Sequence, residues 1–109
     1  MRKIDLRPYT IEIPSPNGEE KTKIPLNVSQ WIQDVIFHPD LKLDGRETIL
    51  RGKLADKIAE AKGEVLLEEA DYHKIKTAFE TIKGFGKMHI ELLNRVFEAP
   101  TVEVEPKKK

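Results

Sequence analysis

The sequence predicts an α+β domain in which an N-terminal β-hairpin packs against about four short helices. Two observations lead to this prediction. Up to residue 26, apolar residues alternate with polar ones, and prolines interrupt the pattern; from residue 28, apolar residues recur at helical spacing. A chain of 109 residues suits one domain, which we assign to residues 1–104, with a charged tail over residues 105–109.

The predicted hairpin occupies the first quarter of the chain. Apolar and polar residues alternate over residues 4–6 and then, in the opposite phase, over residues 9–13. The phase changes at Pro8, where the missing N–H predicts a bulge or an edge position. Residues 14–18 contain an Asn-Gly pair, which is typical of a tight turn. The return strand over residues 22–26 contains another proline, so we expect it to lie at an exposed edge.

Four apolar stripes at helical spacing follow the hairpin, and each predicts a helix. They comprise Val28, Trp31, Ile32, Val35 and Ile36; then Leu50, Leu54, Ile58 and Ala61; then Ile75, Ala78, Phe79 and Ile82; and finally Ile90, Leu93, Val96 and Phe97. Asn27 and Asp44 precede the first two stripes as helix caps, each with Gln or Glu three residues later. Residues 65–67 are either a strand or an apolar staple, and Val102 and Val104 predict a short last strand.

The composition of the chain excludes several classes of protein. The 19 basic and 19 acidic side chains cancel, so no long-range attraction draws the chain to nucleic acid or to an anionic membrane. The absence of cysteine excludes disulfide bonds, thiolate catalysis and cysteine-bound zinc. No apolar run approaches the length of a membrane span, and the first residues lack the hydrophobic segment of a signal peptide. We therefore expect a cytoplasmic protein that has no membrane partner.

No catalytic constellation is recognisable, so we expect a non-enzymatic protein without a cofactor. The two serines lie in a turn and in the first turn of a helix, neither of which is a nucleophile elbow. His38 fits a helix-end turn. His73 and His89 flank a glycine turn and could meet on a metal with Asp71 or Glu91, but their spacing matches no standard zinc site. We interpret both as surface histidines and assign no metal site.

The segment with the clearest link to binding is Ile82-Lys-Gly-Phe-Gly-Lys87, which lies between the third and fourth stripes. Its glycine–apolar–glycine turn resembles the helix-hairpin-helix family of DNA-binding motifs over about twenty of the 109 residues. That resemblance implies that the turn amides and the next helix N-terminus hold a DNA phosphate, while the central phenylalanine fills the hairpin core. The residues implied at the phosphate are Lys83, Gly84, Phe85, Gly86 and Lys87.

Two features weaken the DNA interpretation and make it our alternative function. Four residues after the second glycine the family has alanine, whereas this chain has Ile90, whose bulk predicts a wider crossing of the two helices. Acidic residues are also interspersed among the lysines on both sides of the turn. A simpler interpretation is that Gly84 ends one helix and the chain reverses into the next.

A second resemblance covers the whole chain. Residues 37–47 together with residues 79–86 look like those of small proteins encoded in phages and prophages. This resemblance implies a stoichiometric binder rather than an enzyme. Our leading hypothesis is therefore a protein–protein interaction or assembly module, which binds a protein partner or a second copy of itself. Its candidate surfaces are the proline-marked edge strands and Trp31, although the position of Trp31 on an apolar stripe favours core packing.

Overall fold

A computed structural model describes residues 1–14 and 21–102, and it confirms the α+β prediction. The strands are β1 (Arg2–Asp5), β2 (Tyr9–Pro14), β3 (Lys21–Leu26) and β4 (Glu64–Leu67). The α-helices are α1 (Val28–Ile36), α2 (Gly45–Glu60), α3 (Glu69–Thr81) and α4 (Ile90–Phe97), and single 3-10 turns cover Pro39–Leu41 and Lys87–His89. Most of the predicted Asn-Gly turn, Val104 and the predicted tail lie outside the described residues.

The strands form two small antiparallel sheets. β2 and β3 make the predicted hairpin, with Ile11 opposite Ile24. β1 instead pairs with β4, which places Ile4 opposite Val65 and shows that residues 65–67 form a strand. The phase change at Pro8 is therefore neither a bulge nor an edge position within one strand. It is the break at which the chain leaves the first sheet and enters the second.

The predicted last strand is reduced, within the described residues, to one bridge. Thr101 pairs with Arg2 in an isolated antiparallel bridge, and the Val102 N–H donates to the Met1 C=O over 2.6 Å. The two ends of the described chain thus lie side by side next to β1.

Local capping positions the first two helices as expected. The Asn27 side-chain oxygen accepts the Gln30 N–H over 3.0 Å, and the Asp44 carboxylate accepts the Glu47 N–H over 2.8 Å. The core then forms where α1 packs against α2 and α3, with β4 and β1 contacting α3 and α4. Its largest completely buried side chains are Ile4, Val28, Ile32, Ile36, Ile58, Leu67, Ile75, Leu92 and Val96.

Two of the predicted apolar stripes name the wrong buried residue at their N-terminal ends. Ile90, placed in the core by its spacing, is 53% exposed, and Leu92 is buried instead at this end of α4. Leu50 of α2 is likewise 42% exposed, while the neighbouring Arg51 is buried. Across residues 1–14 and 21–102, no helix has the length and apolar character needed to cross a membrane.

Candidate functional site

The glycine turn forms the centre of the candidate site. α3 ends at Thr81, the chain continues without helical structure to Gly86, and α4 begins only at Ile90. Gly84 has a φ of +103°, in the region that favours glycine. Gly86 and His89 close the turn reciprocally, because the Gly86 N–H donates to His89 Nδ1 over 2.9 Å and the His89 N–H donates to the Gly86 C=O over 3.0 Å.

The residues that the helix-hairpin-helix resemblance singled out, Lys83 to Lys87, lie together in this turn. Phe85 is half-buried and stacks on Phe79 with 5.6 Å between ring centroids, and Lys83 and Lys87 are exposed. The Gly86 amide, which the resemblance assigned to a phosphate, is engaged by the imidazole of His89. Ile90 is more than half exposed, so its bulk does not hold the two helices apart as expected.

His89 is a buried residue of the turn, which corrects its interpretation as a surface histidine. Only 6% of it is exposed, whereas His73 is exposed. Because Nδ1 accepts the Gly86 N–H, the proton of the neutral imidazole resides on Nε2. Burial lowers the pKa of His89, which favours this neutral form at neutral pH. No group of three or more potential metal ligands is found in the part of the chain that the structure describes.

The Nε2 atom of His89 is buried and has no hydrogen-bond partner within the described residues. A buried donor in this state costs about 1–3 kcal/mol. Its aromatic neighbours are Trp31 and Phe85, whose ring centroids lie 4.4 and 5.5 Å from that of His89, both in edge-to-face geometry. A contact between an N–H and an aromatic face is weaker than a hydrogen bond to oxygen.

A pocket of about 180 Å³ adjoins His89. Its apolar lining comes from Trp31, Val35, Ile82 and Phe85, and the polar side chains that border it besides His89 are Asp34, His38 and Lys83. Trp31 is half-buried and packs against the core cluster while it lines this pocket. It therefore belongs partly to the core and partly to the surface. We refer to this site as the His89 pocket.

A second, larger cleft borders the same turn on the hairpin side. Its volume is about 500 Å³. It is lined by Tyr9, Thr10, Ile11 and Glu12 of β2 and by Lys87, Met88 and Glu91. Four consecutive strand residues include both faces of β2, and β3 contributes none of the described lining residues. The cleft therefore lies along the outer edge of β2, and we call it the β2 cleft.

Proline chemistry determines which main-chain groups face the β2 cleft. Thr10 is paired with Pro25 of β3. Because proline has no N–H, this pair belongs to the class that exchanges no hydrogen bonds, and the Thr10 N–H and C=O point away from β3. By the same alternation, the N–H and C=O of Lys23 point to the opposite edge of the hairpin. Of the two prolines in the predicted edge pattern, Pro25 fits this arrangement.

Tyr9 connects the two sides of the β2 cleft. Its hydroxyl donates to the Met88 C=O over 2.8 Å and accepts the Leu92 N–H over 3.2 Å. Burial raises the pKa of Tyr9, so the phenol remains protonated at neutral pH and can donate. Arg95 covers the Tyr9 ring at 5.1 Å and donates to the main-chain carbonyl of Arg7. These contacts hold the start of α4 against the hairpin.

We expect Tyr9→Phe to lower the free energy of unfolding by about 1–2 kcal/mol, because the Met88 C=O and the Leu92 N–H both lose their partner. Urea denaturation measures this loss, and amide hydrogen exchange at Leu92 should accelerate. Thr10→Val is the control, since it removes an exposed hydroxyl from the next residue and should change stability by less than about 0.5 kcal/mol. Equal stability of the two variants would contradict the proposed connection.

Comparison with known proteins adds no relative, because no protein-family model, curated protein or solved structure matches this chain. The site combines main-chain, apolar and imidazole groups. It offers outward main-chain groups at Thr10, an exposed thioether at Met88 and a buried imidazole N–H at His89. Sequence reasoning identified the turn and the edge proline Pro25, but it missed the role of Tyr9, whose partners lie about eighty residues away.

Proposed function

We propose that this protein is a non-enzymatic interaction module that binds an extended segment of a partner protein along the outer edge of β2. The observation that carries the proposal is the β2 cleft, which runs beside a strand edge with outward-pointing main-chain groups. An extended segment that adds to such an edge gains main-chain hydrogen bonds, and pockets for its side chains supply selectivity. The resemblance to small phage-encoded proteins suits a stoichiometric binder of this kind.

The two edges of the hairpin differ in a way that favours β2. On the β3 edge, Pro25 supplies no donor and Lys23 carries an exposed charge, and both are devices by which proteins discourage strand addition. On the β2 edge, the exposed Thr10 keeps both its N–H and its C=O. A partner strand would therefore add beside β2.

The far wall of the β2 cleft supports recognition of side chains. Met88 is 40% exposed there, and its flexible thioether adapts to different apolar partners. Lys87 and Glu91 border it with opposite charges. We infer a partner segment that alternates an apolar side chain, directed at Met88, with polar side chains.

Proline substitution on the two edges tests the proposal. Thr10→Pro removes the outward N–H of β2 without removing a hydrogen bond of the hairpin, and Lys23→Pro makes the same change on the opposite edge. Peptides selected from a random library against the purified protein should bind wild type and Lys23→Pro alike. We expect Thr10→Pro to bind them at least about tenfold more weakly, because it loses a main-chain hydrogen bond and crowds the edge.

Amide exchange locates the contact independently of the variants. Bound peptide should slow the exchange of the Thr10 amide and leave that of Lys23 unchanged. Failure to select any peptide, or equal affinity for the Thr10→Pro and Lys23→Pro proteins, would refute strand addition at β2.

DNA binding through the glycine turn has less support from the geometry. Lys83 and Lys87 remain exposed, as a phosphate contact requires. The Gly86 N–H, however, donates to His89, and the Leu92 N–H near the start of α4 donates to Tyr9. Two amides that the resemblance would direct at a phosphate thus already have partners, so we keep strand addition as the proposed function.

A further inference from the structure

We propose that the His89 pocket is a second binding site, for a small uncharged aromatic ligand that carries a carbonyl oxygen. The site is distinct from the β2 cleft and does not depend on strand addition there. It combines three properties that few surface depressions share: a buried donor without an acceptor, aromatic walls and a balanced pair of charges at its border.

The buried donor defines the polar part of the ligand. His89 is 6% exposed, and its Nδ1 already accepts the Gly86 N–H. Nε2 is consequently the protonated nitrogen, and it lacks an acceptor within the described residues. His89 lines the pocket while its Nε2 is closed to solvent, so a small shift of the lining side chains would bring a ligand oxygen to this imidazole, which burial keeps neutral by lowering its pKa.

The walls define the apolar part of the ligand. Trp31 and Phe85 both line the pocket, and each contacts the His89 ring in edge-to-face geometry. Phe85 is held in place by its stacking on Phe79. An aromatic ring fits such walls by stacking and edge contacts. The pocket volume of about 180 Å³ suits a single substituted ring.

The charges at the border favour an uncharged ligand. Asp34 and Lys83 both border the pocket and are both exposed, so their opposite charges offset each other. A carboxylate or ammonium group would lose its hydration on entering the pocket, and an exposed, solvent-screened Lys83 or Asp34 would offset that cost only in part. A neutral carbonyl accepts the imidazole N–H without this cost.

Benzamide and cumene form a matched pair of probes for the wild-type protein. Both carry a branched substituent on one aromatic ring, but only benzamide has an oxygen that can accept from His89 Nε2. In a titration followed by NMR, we expect saturable benzamide shifts at the Trp31 indole N–H and at the amides of Phe85 and His89. Cumene should bind at least about fivefold more weakly, which corresponds to one hydrogen bond.

His89→Asn tests the donor itself. The asparagine side-chain oxygen can still accept the Gly86 N–H, whereas the Nε2 donor is removed. The preference for benzamide over cumene should disappear in this variant, whose fold is checked from its amide spectrum. The proposal is overturned if benzamide causes no saturable shift up to its solubility limit, if cumene binds wild type equally well, or if His89→Asn retains the preference. The wild-type comparison stands even if the variant does not fold.

Discussion

Replacing Leu92 by alanine is expected to lower the free energy of unfolding by about 3 kcal/mol. Leu92 is completely buried on the face of α4 that meets the core. Truncation removes its apolar contacts and leaves a cavity that the surrounding side chains fill only in part. Its amide also bonds to the Tyr9 hydroxyl, so a shift of the helix would disturb the hairpin contact as well. Urea or thermal denaturation measures the loss.

Ile90→Ala is the matched control, because it truncates an apolar residue of the same helix two positions earlier. Ile90 is 53% exposed, so we expect its truncation to change stability by less than about 0.5 kcal/mol. The sequence stripe alone predicts the opposite order, with Ile90 in the core. A larger loss for Ile90→Ala than for Leu92→Ala would show that α4 is rotated relative to the structure described.

Replacing Glu47 by alanine is expected to lower the free energy of unfolding by about 2–3 kcal/mol. The Arg51 side chain is 9% exposed and its Nε lies 2.8 Å from the Glu47 carboxylate. Glu47 also contacts Lys74 of α3 at 3.2 Å, so the carboxylate connects two helices. Its removal leaves a buried guanidinium without a counterion, although an Arg51 N–H still donates to the Ile36 C=O. The 27% exposure of Glu47 places the expected loss below that of a fully buried pair.

Glu91→Ala provides the control for the Glu47 variant, since Glu91 forms a pair of the same spacing with Arg95 at 3.0 Å. Glu91 is 55% exposed, and Arg95 also donates to the main-chain carbonyl of Asp5. We therefore expect a loss below about 1 kcal/mol. Restoring stability to Glu47→Ala by adding Arg51→Met would confirm that the unpaired charge is the cause. Equal losses for the two glutamate variants would contradict this explanation.

The effect of the Glu47 pair should depend on pH. The hydrogen bond from Arg51 holds the pKa of Glu47 below its ordinary value of 4.5. The contribution to stability is therefore fully present above pH 4.5 and is lost as the pH falls through the lower pKa of the folded protein. The difference in the free energy of unfolding between wild type and Glu47→Ala should accordingly become smaller as the pH falls below 4.5.

Features set by neighbours in the sequence were predictable. The caps at Asn27 and Asp44 depend on a side chain and an amide three residues apart. The hairpin of β2 and β3 also follows from local alternation, and Pro25 correctly indicated an edge. At the candidate site, the same reasoning located the glycine turn, although it ended the third helix at Gly84 and the structure ends α3 at Thr81.

Features that depend on distant partners were not predictable. β1 and β4 are about sixty residues apart along the chain, so the phase change at Pro8 could not be recognised as a change of sheet. The face of α4 that enters the core was similarly ambiguous. Its apolar residues exceed what one face can bury, and packing selects Leu92 over Ile90.

The sequence by itself determined the fold class, the helix caps, the hairpin and the position of the glycine turn, because each depends on propensities and contacts within a few residues. Only the tertiary structure decided what the turn contacts. His89 is buried against Trp31, and its imidazole accepts the Gly86 N–H. The Tyr9 hydroxyl accepts the Leu92 N–H and so connects the start of α4 to the hairpin. The physical reason is that burial and hydrogen-bond partners at this turn come from segments far away in sequence, which no local pattern encodes.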